Sequence, residues 1–197
     1  NRNALTDWLC LDIDGLPNPR RVTENGKTTE RPLTVDQIMD SLGLGDVSYV
    51  LQWSGSQGII NDDIRCHIFI LLTKSVAAPL VKQWLIQKNH EVELFQSCQQ
   101  LTKTGNSLTW GLDITACQPD KLIYIAPPTL IGIKNPLKRQ SRISLVNKKQ
   151  ARFDLSTQHI NTTAQNKDLT DNKVLQLREL AGLPKRKMTY KLVGSQE

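Results

Sequence analysis

Apolar residues in this chain come in short runs broken by polar turns, and their spacing predicts most of its elements. Residues 8–13, Trp-Leu-Cys-Leu-Asp-Ile, read as a buried strand ending in Asp12-Ile13-Asp14-Gly15, with Pro17, Pro19 and a polar run to Glu30 as a long loop. Thr34 and Gln37 form a capping box ahead of Ile38, Met39 and Leu42, the stripe of a short helix closed by Gly43. Val47 to Trp53 is a second strand. A small-residue loop, Ser54-Gly55-Ser56-Gln57-Gly58, and a polar bulge at Asn61-Asp62-Asp63 lead into a strong strand from Arg65 to Leu72.

Residues 76–101 carry two helical patterns, Leu80, Val81, Trp84 and Leu85 on one and Val92, Phe95, Cys98 and Leu101 on the next. Leu108 to Ile114 and Lys121 to Ala126 read as further strands, the second stopped by Pro127-Pro128. Residues 154–168 are rich in Ser, Thr, Asn and Gln and read as a linker, after which Val174, Leu177 and Leu180-Ala181 mark an amphipathic helix. There is no internal repeat. The order is neither regular βαβ alternation nor a bundle, so the expected class is α+β: a mixed or antiparallel sheet with helices on one side and a small C-terminal helical tail. The expected division is a domain over residues 1–153 and a linker, helix and basic tail over 154–197.

At 197 residues, 39% of them hydrophobic, the chain is long enough to bury a core without disulfide or metal staples. The longest apolar run, Ile68 to Leu72, is strand-sized, which excludes a membrane span made of a helix. Four cysteines, at positions 10, 66, 98 and 117, include no CxxC pair, and Cys10 and Cys66 lie in strand-like runs as core thiols. A reducing cytoplasmic setting fits them. The opening at Asn1 suggests a piece excised from a larger protein.

Charge is unevenly placed. The chain's net charge is +6, yet Lys121 to Phe153 holds eight basic residues and no acidic one, leaving the remainder near neutral at −2. Such a segment suits a phosphate backbone, and equally a solvated charged face. Lys185, Arg186, Lys187 and Lys191 form a second cluster.

Strand residues two apart share a face, so Asp12 and Asp14 project together while Leu11 and Ile13 point to the core. Paired carboxylates of this kind bind hard divalent ions that hold phosphate oxygens. Asp-x-Asp-Gly is also ordinary turn chemistry. Asp113 ends another expected strand and completes a candidate three-aspartate metal site, or caps a turn. His67 shares its strand face with Arg65, an arrangement suited to a triphosphate, although a lone histidine in an apolar strand is more often a core residue. His90 and His159 look peripheral. With no HxH and no His/Cys cluster, a histidine zinc site is not expected.

Together, the strand ending in Asp12-x-Asp14, the segment Ser54-Gly55-Ser56-x-x-Gly58, the strand opening His67-Ile-Phe-Ile-Leu and the strand ending in Asp113 resemble the archaeo-eukaryotic primase superfamily. The likeness is to the primase-polymerases of plasmids, phages and integrating elements, and covers roughly residues 7–128. It implies a sheet related to the RNA-recognition-motif fold and two-metal nucleotidyl transfer, using Mg²⁺ or Mn²⁺ held by Asp12, Asp14 and Asp113. It also implies that His67 contacts the phosphates of a nucleoside triphosphate, with Ser54 and Ser56 nearby. Arg65 stands where the family often has a small residue. Only eleven residues precede Asp12, where relatives carry further structure.

The expected function is therefore a primase or primase-polymerase core acting on single-stranded DNA in the replication of a mobile element, with a helicase domain or protein as a further partner. Charge alone adds Lys134, Lys138, Arg139, Arg142, Lys148 and Lys149 as candidate DNA contacts. One alternative is a non-catalytic nucleic-acid-binding module. Another follows from Trp8 to Leu16, which resembles the first motif of haloacid-dehalogenase-type phosphatases, with Asp12 as nucleophile and Asp14 as acid/base. That family needs a regularly alternating parallel sheet and a later acidic pair, and Asp62-Asp63 comes too early.

Overall fold

The computed structural model describes residues 4–24, 26–118, 120–137 and 141–184, residues 20–24 by their backbone alone. In chain order the elements are β1 (Leu5–Leu16), β2 (Arg20–Glu24), β3 (Lys27–Arg31), α1 (Val35–Ser41), β4 (Tyr49–Trp53), β5 (Ile64–Ala77), α2 (Ala78–Glu91), α3 (Glu93–Gln96), β6 (Gln100–Leu101), β7 (Leu108–Thr109), β8 (Ile143–Val146) and α4 (Thr163–Leu180). A 3₁₀ turn, Leu155–Thr157, precedes α4.

One four-stranded sheet, in the order β1-β5-β4-β8, is antiparallel at every pairing. Its register follows from alternation along β1 and β5. Leu9, Leu11 and Ile13, with Cys66, Ile68, Ile70 and Leu72, are buried on one face. Against them pack Val35, Ile38 and Met39 of α1, Val81, Trp84 and Leu85 of α2, and Phe95 of α3. Fully burying one such side chain is worth about 1.5–3 kcal/mol, so this helix-covered face fixes which residues the other face presents. The chain is thus an α+β protein with an antiparallel sheet, helices on one side of it and a C-terminal helix.

The capping box of Thr34 and Gln37 opens α1 as expected. Elsewhere five segments depart from expectation, the first being the second helical pattern, which stops at Gln96 so that Leu101 lies in β6. The stretch after Pro19 is not an open loop: β2 and β3 form a hairpin, and the Asn18 side chain accepts from the Leu33 amide at 2.8 Å near its base. The expected strand from Leu108 to Ile114 stops at Thr109. Beyond it, buried Asn89 of α2 takes both backbone groups of Leu112, accepting from its amide and donating to its carbonyl at 3.0 Å each, so a ladder partner is not needed.

Lys121 to Ala126 is no strand either. It runs as an irregular strap with Leu122, Tyr124 and Ile125 exposed, and the Gln52 side chain donates to the Tyr124 carbonyl at 3.0 Å. Its continuous apolar run is exposed and not buried on one face. Finally, the polar stretch 154–168 is folded against the domain. Leu155 is buried, Asp154 caps the 3₁₀ turn, and a second capping box, Thr162 with Gln165, starts α4 earlier than the apolar residues alone suggested. Buried Asn166 donates to the Gln83 carbonyl at 2.9 Å, which docks α4 on α2. Among the described residues, no helix is long and apolar enough to cross a membrane. The basic cluster from Lys185 to Lys191 lies outside the described residues.

Trp84 fills the core with no exposed surface, but its indole Nε1–H has no partner among the described residues. Trp84→Ala leaves a large cavity and is expected to cost about 3–5 kcal/mol in urea denaturation. Trp84→Phe keeps most of the ring and removes the stranded donor, so its cost is expected to be less than about half of that.

Candidate functional site

The face of the sheet opposite the helices carries a polar row across three adjacent strands. Asp12 of β1 lies opposite His67 of β5, which lies opposite Gln52 of β4. His67 Nε2 stands 3.4 Å from Asp12 Oδ1, and both side chains are only about one-seventh exposed, at 14% and 15%. On the other side of the ring, Nδ1 is 2.9 Å from Gln52 Oε1. Gln52 must present its amide nitrogen to the Tyr124 carbonyl, which can only accept, so its oxygen faces the imidazole. Nδ1 therefore carries a proton, and Nε2 is the nitrogen aimed at Asp12 and at any ligand there.

Asp14, two residues along β1, is 78% exposed and ion-pairs with Arg65, its register partner on β5. Gly15 makes that pair possible. It sits at φ +97° in a register shift, and a Cβ there would lie 3.0 Å from the Arg65 guanidinium. The Arg65 backbone is held in turn, its amide donating to Gln57 Oε1 at 2.6 Å.

Asp113 reaches the same end of β1 through the backbone. Asn89 fixes Leu112, and the Asp113 amide then donates to the Asp12 carbonyl at 2.9 Å, covering the edge of β1. Its carboxylate accepts from the Thr115 amide and hydroxyl, 2.7 Å each, and from Lys121 Nζ at 2.6 Å. Partial burial pushes this carboxyl's pKa up, but the bonds from Lys121 and Thr115 outweigh it and hold the pKa below its usual value. The same bond raises the Lys121 pKa.

Asp14 and Asp113 thus each face a cation from another segment, Arg65 and Lys121, while Asp12 faces the His67 imidazole. Among the described residues, no group of three His, Cys, Asp or Glu side chains converges as it would around an ion. The donor chemistry nevertheless fits a hard divalent ion, since all three offer carboxylate oxygen and the backbone bond between Asp12 and Asp113 joins their segments. Taking up such an ion would release Lys121 and Arg65 from the carboxylates.

Ser54 and Ser56 lie in the turn after β4, their hydroxyl oxygens 3.2 Å apart. The Ser54 amide donates to the Arg65 carbonyl at 2.9 Å, which ties this turn to the Asp14 partner. Arg142 braces the turn, Nη1 donating to the Ser54 carbonyl at 2.8 Å. Gly58 closes it at φ +70°, where a Cβ would come within 2.8 Å of Pro136.

The basic segment is less uniform than its sequence. Lys148 pairs with Asp36 at 2.9 Å and Lys149 with Asp46 at 3.2 Å, while Arg152 donates to the Leu72 carbonyl. Lys134 is exposed, and Lys138 and Arg139 lie outside the described residues. Cys10 and Cys66 are buried, and burial followed by the nearby Asp12 charge pushes both thiols far up in pKa, so neither is a thiolate nucleophile at neutral pH. The phosphatase reading fares poorly for a topological reason: β1 is an edge strand of an antiparallel sheet, not a strand of a parallel one.

Gln52, Asn89 and Lys121 were not singled out from sequence. Gln52 had one signal there, an amide side chain inside the apolar run Tyr49 to Trp53, which a core tolerates only when it is hydrogen-bonded; Asn89, in the polar run Gln87 to Glu91, had none.

The Asp113 pKa gives a pH test. Its contribution to stability is present above the unfolded carboxyl value of about 3.9 and is lost as pH falls through the lower folded value. Lys121→Met is therefore expected to destabilise the protein modestly at pH 7, with the difference from wild type shrinking to nothing at low pH in urea titrations. A difference independent of pH would show that Lys121 acts by packing alone. Comparison with protein-family models, with curated proteins and with solved structures finds no match to this chain.

Proposed function

We propose that this chain is the nucleotidyltransferase core of a DNA primase or primase-polymerase, with an antiparallel sheet related to the RNA-recognition-motif fold. The observation that supports this reading is the placement of sequence-distant residues at one end of the same sheet face. Asp12, His67 and Gln52 share one row, Asp14 and Arg65 lie beside it, and Asp113 is delivered by a backbone bond to Asp12. The resemblance of the same residues to primase motifs supports the same assignment.

In this reading Asp12, Asp14 and Asp113 supply oxygens to Mg²⁺ or Mn²⁺. When bound, the ions lower the pKa of a 3′-hydroxyl and steady the leaving pyrophosphate. The protein's own groups do the positioning. Gln52 holds the His67 ring so that Nε2 faces the phosphates of a nucleoside triphosphate, and keeps it from turning when Asp12 changes partner. Arg65 and Lys121, released from their carboxylates, provide positive charge for the triphosphate. Ser54 and Ser56 offer hydroxyls at the edge of the site, in a turn that Arg142 fixes. Lys134, with Lys138 and Arg139, provides charge for the DNA strand.

The test is nucleotide incorporation on single-stranded DNA, with and without a primer, in Mg²⁺ and in Mn²⁺. The expected result is metal-dependent product that Asp12→Ala/Asp14→Ala reduces by more than about 100-fold, since even an outer partner of a metal site commonly costs 10- to 100-fold. Gln52→Leu is expected to reduce it less. Metal-independent, salt-sensitive DNA binding with no incorporation would instead identify a non-catalytic module.

A further inference from the structure

Beyond the polar row, this face of the sheet is apolar, with Cys10 buried opposite Phe69 and exposed side chains towards its two edges. Trp8 is 43% exposed and lies opposite Leu71, which is 51% exposed. Phe69 lies beside them, its ring centroid 5.8 Å from Trp8 with the planes at 49°, and 6.2 Å from the His67 ring. Across the sheet, Val50 pairs with Leu145 and Gln52 with Ile143, and Leu145 and Ile143 are 64% and 47% exposed. The stripe thus runs from the aromatic corner on β1 to the edge strand β8, directly adjoining Asp12, His67 and Gln52.

We propose that this stripe is a stacking platform for the bases of single-stranded nucleic acid, with Trp8 as its main anchor. Three observations favour that occupant over another protein surface. The aromatic rings are tilted against each other instead of stacked, leaving ring faces for a planar ligand. The apolar side chains are continuous with the carboxylate and histidine row, so a strand lying on them leads into the site; Trp8 is four residues, about 13 Å, from Asp12 along β1. Strand β8, which forms the far edge, belongs to the segment from Lys121 to Phe153, in which Lys121, Lys148 and Lys149 pair with aspartates of other segments and exposed Lys134 offers its charge to a polyanion.

This proposal deepens the nucleotidyltransferase reading by placing the template, and it rests on that reading for the choice of single-stranded DNA. The experiment separates the two. Binding of a labelled oligo-dT strand is measured by fluorescence anisotropy in EDTA, where no divalent ion contributes, across a range of salt. Trp8→Ala is expected to raise Kd by about 5- to 150-fold, the loss of one base–aromatic stack, without changing the salt slope. Trp8→Phe, which keeps an aromatic face, is expected to stay within about 3-fold, a figure that allows for its smaller ring. Leu180→Ala, at an exposed apolar residue of α4, serves as control and is expected to bind as wild type does.

Equal binding by wild type and Trp8→Ala overturns the platform, as does an equal loss on duplex DNA. It is also overturned if Trp8→Ala abolishes self-association while strand binding is unchanged, since the stripe is then an interface between copies. Strand binding that depends on Trp8, without incorporation in any metal, leaves the platform standing and removes the enzyme reading. Incorporation by wild type with no Trp8 dependence of binding does the reverse.

Discussion

The antiparallel register of β1 against β5 is the constraint on which the site depends. With Leu11 and Ile13 buried on one side, Asp12 and Asp14 have to emerge on the other, opposite His67 and Arg65. A slip of one residue would put the aspartates under α1 and α2 and expose the leucines, a cost no surface interaction offsets. The functional geometry is therefore secured by apolar side chains that never touch it. The register shift at Gly15 is the one local irregularity at this end, and it makes room for the Arg65 guanidinium.

Buried amides do the rest of the positioning. Asn89 occupies both backbone groups of Leu112 and so sets Asp113 against the edge of β1. Gln52 joins the strap at Tyr124 to the imidazole of His67, and Asn166 fastens α4 to α2. Each replaces a stretch of regular ladder or apolar contact with a small set of directional bonds. Such groups are costly unless fully paired. Their placement at irregular segments explains how a strap and a loop hold definite positions without being strands.

What the sequence made legible was what periodicity encodes. The two long strands, the faces of Asp12, Asp14, Arg65 and His67, the capping box of α1 and the buried state of Cys10 and Cys66 all follow from alternation or local caps. The bonds of Asn89 and Gln52 were not legible, because they join residues 23 and 72 positions apart and leave no local pattern. For the same reason Leu108 to Ile114 and Lys121 to Ala126 mimicked strands. The basic segment also misled as a single surface, since Lys148 and Lys149 spend their charge on Asp36 and Asp46.

Two of the three aspartates hold a cation supplied by another part of the fold, Asp14 with Arg65 and Asp113 with Lys121, and Asp12 faces the His67 imidazole. In the proposed reading, a divalent ion would take the place of Arg65 and Lys121 on Asp14 and Asp113. The most direct measurement is paramagnetic broadening of backbone amide NMR signals by Mn²⁺, with and without a nucleoside triphosphate. Broadening centred together on Asp12, Asp14 and Asp113, and lost in Asp12→Ala, is the expected result. Broadening centred elsewhere, or confined to one of the three, contradicts a shared site.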